Sequence, residues 1–90
     1  MIIQINSDNN ITGTEELSNF VESTIAETLK RFDNQVTRVE VHLNDENSHK
    51  NGMKDKRCML EARLEGMQPI AVTALGDTIQ EALKDALGKL

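Results

Sequence analysis

The chain has no tryptophan and no tyrosine, and its aromatic content is Phe20 and Phe32. Its core must therefore be aliphatic, and stacking of bases on aromatic platforms has almost nothing to work with. Cys58 is the single cysteine, so an intramolecular disulfide is excluded, as suits a reducing compartment. No apolar run approaches the ~20 residues that span a bilayer. The opening MIIQINSDNN lacks the basic and apolar regions of a secretory leader. A cytoplasmic protein with no membrane partner is the expectation. Positive charge is also in short supply. Ten Lys and Arg face fifteen Asp and Glu, a net charge of -5 over 90 residues. A binder driven by charge alone carries the opposite sign, and DNA is not an expected partner.

What is present reads as one domain over residues 1–90, with 38% hydrophobic residues for a thin core. Ile2, Ile3 and Ile5 predict a first strand at about 2–6, broken by the polar run 6–10. From Thr12 to Phe32 the spacing is helical: Leu17, Phe20, Val21, Thr24, Ile25, Thr28, Leu29 and Phe32 recur at three and four. Thr12 with Glu15 fits a capping box, and Thr14 is a second candidate cap. Glu15 and Glu16 at its start and Lys30 and Arg31 in its last turn suit the helix dipole. From Val36 the period changes to two, with Val39, Val41 and Leu43 on one side and Arg38, Glu40 and His42 on the other. Residues 44–55 are polar and aperiodic and predict a loop. Alternation resumes with Cys58, Leu60, Ala62 and Leu64 against Arg57, Met59, Glu61, Arg63 and Glu65. A short connection at 66–68 leads to Ile70, Val72 and Ala74, predicting an antiparallel hairpin. Gly76-Asp77 ends that strand. Asp77 is the expected cap of a second helix, with Gln80 as its reciprocal partner. Ile79, Ala82, Leu83, Ala86, Leu87 and Leu90 form the apolar stripe of that helix.

The predicted architecture is α+β, in the order βαβββα: a four-stranded sheet with two helices on one face. Clean alternation in the strands predicts a wet opposite face. An exposed edge strand gives a possible route to self-association.

No catalytic constellation emerges. Cys58 is in phase with Leu60 and Ala62 and reads as a small buried hydrophobe. His42 and His49 lack a second ligand at metal spacing, and Asp45, Glu46, Asn47 and Gly52 do not match a calcium loop. Gly66 and Gly76 are isolated turn residues, not a phosphate loop. The chain is expected to be no enzyme and to need no cofactor. The charge pattern is more informative than its total. The helical segments are acidic, whereas Lys50, Lys54, Lys56 and Arg57 cluster against Asp55 alone. Arg38, Arg57 and Arg63 fall on the open sheet face, interleaved with Glu40 and Glu61. Two readings fit: cross-strand ion pairs that keep the face soluble, and an arginine-bearing surface that touches phosphates. Charge alone favours the first.

The segments RVEVHLNDE (38–46) and DKRCMLEARLEGMQPIAV (55–72), placed after a strand and a long helix, resemble the ribosome hibernation-promoting factor family. That family is also called the sigma-54 modulation protein family, and the likeness runs over nearly the whole chain. It implies both helices on one face and binding to the small ribosomal subunit across the channel for messenger and transfer RNA. It implies a stress-associated block of initiation, with Lys and Arg meeting ribosomal RNA phosphates. On matching positions the resemblance assigns Arg38, Lys56, Arg57 and Arg63 to RNA, with Lys30, Arg31 and Lys84 secondary. The sequence departs from the basic second helix of familiar members, since DTIQEALKDALGKL is slightly acidic. A module that keeps the fold and binds a protein instead of ribosomes is the alternative.

Overall fold

The computed structural model describes residues 1–7, 15–45 and 56–90. The elements are β1 (Ile2–Ser7), α1 (Glu15–Thr28), a 3-10 turn (Lys30–Phe32), β2 (Val36–Asp45), β3 (Lys56–Leu64), β4 (Ile70–Gly76) and α2 (Ile79–Gly88). The four strands lie in the order β1-β2-β3-β4. β1 runs parallel to β2, and the two later pairings are antiparallel. The α+β order expected from the sequence is realised.

One face of the sheet is buried. Val39, Val41 and Leu43 of β2 and Cys58 and Leu60 of β3 form a continuous cluster with Val21 and Ile25 of α1 and Ala82, Leu83 and Ala86 of α2. Fully burying a Val or Leu side chain is worth roughly 1.5–3 kcal/mol, so this cluster dominates the stability of the fold. Leu17 and Phe20 pack at its margin. Leu90 and Phe32 do not join it and are each 40% exposed. They flank an apolar recess also lined by Leu64, Ile70 and Leu87.

Several boundaries differ from the sequence expectation. The caps Thr12 and Thr14 lie outside the described residues. α1 ends at Thr28, so Lys30 and Arg31 sit in the 3-10 turn beyond it rather than in its last turn. The chain tightens there because Phe32 N–H donates to the Leu29 carbonyl at 2.9 Å. β2 includes Asn44 and Asp45, which the polar pattern assigns to a loop. Asp45 faces Lys56 across the ladder, and their 3.2 Å ion pair extends the strand pairing by one rung. The rest of the expected loop, residues 46–55, lies outside the described residues. A bulge at Thr37 separates Val36 from Arg38. It explains how Val36 and Val39, of opposite parity, are both buried.

α2 is capped by Thr78, not Asp77. The Thr78 hydroxyl accepts from Glu81 N–H at 3.1 Å and lies 3.5 Å from the Glu81 carboxylate. Asp77-x-x-Gln80 and Thr78-x-x-Glu81 both match the capping pattern. The structure gives the role to Thr78, whose extended backbone (φ -130°, ψ 162°) is that of an N-cap. At the sheet edges, β1 and β4 carry no charged side chain. On β4, the Lys89 ammonium donates to the Thr73 carbonyl at 2.7 Å, a device that blunts an edge.

Gly76 ends β4 where the first turn of α2 crosses it. A Cβ there would lie 2.6 Å from Ala82 N and 3.1 Å from Ala82 Cα. The position therefore needs glycine for close backbone approach, beyond the turn role read from sequence. Gly76→Ala is expected to destabilise the protein by about 1–3 kcal/mol through overpacking, as read by urea unfolding. An unchanged midpoint would contradict the close contact.

Candidate nucleic-acid interface

Alternation sends the other half of the strand residues to the open face. Paired register arranges them in rows. Ile2, Arg38 and Arg63 form the first row, and Gln4, Glu40, Glu61 and Ala71 the second. Asn6, His42, Met59 and Thr73 form the third, and Asn44, Arg57 and Leu75 the fourth. Arg57 and Arg63 are six residues apart on β3, which places them about 20 Å from one another. The face thus has a cationic group towards each end and carboxylates between.

The first two rows are unusual in setting like charges opposite each other, Arg38 against Arg63 and Glu40 against Glu61. Such pairs are unfavourable unless opposite charges bridge them. Here they do. Arg38 Nε donates to Glu40 Oε2 at 3.1 Å, and Arg63 Nη2 lies 3.8 Å from the same oxygen. Arg63 Nη2 is also 3.4 Å from Glu61 Oε1. The other Glu40 oxygen lies 3.8 Å from His42 Nε2. Arg38 Nη2 further donates to the Gln4 side-chain oxygen. Glu40 is the hub, with 20% of its side chain exposed against 52% for Arg63. Sequence reasoning places Glu40 on this face but misses Gln4. The role of Gln4 depends on β1 pairing in parallel with β2, and strand order is not visible in a single strand's periodicity.

The residues singled out from the sequence do not all converge. Arg38, Arg57 and Arg63 share the open face. Lys56 does not: it is in phase with Cys58 and faces the helical side, where its ammonium pairs with Asp45. Lys30 and Arg31 lie in the 3-10 turn after α1, and the Arg31 guanidinium sits 5.4 Å from the Phe32 ring centre, a cation–π contact. Lys84 projects from the exposed side of α2. These three belong to the helical layer. That layer also carries Glu15, Glu16, Glu22, Glu27, Asp77, Glu81 and Asp85, so the acidic excess of the described residues lies opposite the arginine-bearing face.

This architecture matches a known group of proteins. The profile of the family described as "Sigma 54 modulation protein / S30EA ribosomal protein" matches residues 3–90. The chain belongs to that family. Membership supports a ribosome-associated role, in a family of non-enzymatic factors. The fold is similar to the crystal structure of the Thermus thermophilus Protein Y N-terminal domain. The TM-score is 0.77 at 19% identity, covering 99% of this chain and 90% of that one. It is also similar to a ribosomal subunit interface protein from Coxiella burnetii, with a TM-score of 0.72 at 17% identity, covering 99% of this chain and 88% of that one. No curated protein matches the sequence.

The described residues contain no group of side chains arranged to hold a metal ion. No helix among them is long and apolar enough to cross a membrane. Cys58 is fully buried, and desolvation pushes its thiol pKa up from 9.0 to about 11. That is the reverse of what a nucleophile needs. The native thiol is therefore expected to resist disulfide reagents at pH 8 and to react only on unfolding. The folded pKa lies above the unfolded one, so the stabilising contribution is full below pH 9 and falls as pH rises to about 11. Unfolding curves of wild type and Cys58→Ala across that window check this, since the variant lacks the added decline. Rapid labelling of the native protein at pH 8 would contradict the burial.

Proposed function

We propose that the chain is a hibernation factor that binds the small ribosomal subunit and blocks translation while bound, in a cytoplasmic setting. Its open sheet face meets ribosomal RNA phosphates through Arg38, Arg63 and Arg57. The observation that carries this reading is the placement of these three arginines on one wet face, with the acidic helices turned away from it. A chain of net charge -5 is repelled by RNA on most of its surface. An asymmetric distribution lets it approach in one orientation. Family membership supports the ribosome as the partner. The open face carries no aromatic side chain among the described residues, so recognition rests on phosphate layout and the shape of structured RNA rather than base stacking. Lys30, Arg31 and Lys84 of the helical layer and Lys56, which faces the helical side, are peripheral to the RNA-facing surface in this reading.

Co-sedimentation with purified small subunits over a salt series tests the proposal. The wild type is expected to pellet at low salt. Replacing Arg38, Arg57 and Arg63 together by alanine is expected to flatten the slope of log affinity against log salt by roughly 2–3, about 0.7–0.9 for each phosphate no longer neutralised. Lys84→Ala is expected to change the slope by less than a single phosphate's share. A triple variant that binds like wild type would place the RNA-facing surface elsewhere. A wild type that stays in the supernatant at low salt would overturn the reading in favour of a protein partner on the acidic helices.

A further inference from the structure

The Arg38–Arg63 row holds two guanidinium groups directly opposite each other, and one carboxylate oxygen, Glu40 Oε2, lies against both. A carboxylate and a phosphate present the same kind of acceptor oxygen to a guanidinium group. Arg38 has its Nε engaged by Glu40 and its Nη2 engaged by the Gln4 oxygen. Arg63 is the more exposed of the pair, and its Nη2 faces both Glu40 and Glu61. A phosphate arriving at this row meets donors already facing carboxylates, and Glu40, bridging both arginines, is the one it must replace. We propose that Arg38 and Arg63 form a phosphate-binding site, and that Glu40 is its resident competitor and sets how tightly the face holds RNA phosphate.

The site rests on the ribosomal reading for its natural ligand, but its chemistry can be tested without a ribosome. It accounts for a chain that carries three arginines on one face and yet keeps that face close to neutral. Local neutrality weakens attachment to any single phosphate. A structured RNA that engages Arg57 as well, about 20 Å away, holds the face at two points.

The test is a titration of isotope-labelled full chain with inorganic tripolyphosphate, following the Nε–H resonances of Arg38 and Arg63. Wild type, Glu40→Gln, Glu61→Gln and Glu22→Gln are compared. Glutamine keeps the size of the side chain and removes its charge. At about 4 Å in water one charge corresponds to roughly a fivefold change in affinity. Glu40→Gln is therefore expected to bind tripolyphosphate about fivefold more tightly. Glu61→Gln, which faces Arg63 alone among the two, is expected to gain less. Glu22→Gln removes the same net charge from α1, on the helical side, and is expected to behave as wild type. Equal affinities for wild type and Glu40→Gln would overturn the proposal. So would an equal gain in Glu22→Gln, which would make the effect one of total charge. The same proteins pelleted with small subunits form the second arm. A matching gain there supports RNA phosphate as the ligand. A gain with tripolyphosphate and no ribosome binding by any variant supports the anion site and overturns the ribosomal reading.

Discussion

The burial of one side of a four-stranded sheet under two helices constrains everything else in this protein. Val39, Val41 and Leu43 on β2 must face the helices together with Cys58 and Leu60 on β3. Strand geometry then leaves no choice about Arg38, Glu40, His42, Arg57, Glu61 and Arg63, which are turned to water. A slip of one residue in either strand would bury charge and expose the core. The register that stabilises the fold is therefore the register that assembles the open face.

The same constraint sorts the charge. The charged residues of the helical layer are mostly carboxylates, and the open face holds three arginines against two glutamates. This sorting is what lets the proposed function reconcile a negatively charged protein of a ribosome-associated family with a phosphate-rich partner. On the proposed function, attraction is confined to that side, and Glu40 moderates it there. Specificity in such a design comes from where cations stand on a rigid sheet more than from how many there are.

How much of this is legible in the sequence depends on the kind of information required. Parity is local, so the inward set around Cys58 and Leu60 and the outward set around Arg57 and Arg63 can be read directly, and so can both helices. Lys56 groups with Arg57 only as its neighbour in sequence, since parity puts the two on opposite faces. Phase within one turn is harder. Asp77 and Thr78 both offer a capping oxygen to an N–H three residues on, and the pattern alone does not choose between them; the structure has Thr78 in the role. Pairing between strands is not legible. The opposition of Arg38 to Arg63, the Thr37 bulge and the reach of Gln4 to Arg38 all depend on strand order and register. The need for glycine at position 76 likewise comes from Ala82 of α2, which lies close in space and across a turn in sequence.

The central claim is that the open sheet face, and not the helical side, meets ribosomal RNA. Tethered hydroxyl-radical probing reads this directly. A cleavage reagent is attached through Thr73→Cys on the open face or through Glu22→Cys on α1, with small subunits bound. The account predicts strong, localised scission of the small-subunit RNA from position 73 and weak scission from position 22. Strong scission from position 22 with none from position 73 would contradict it and would place the acidic helices, against expectation, at the ribosome.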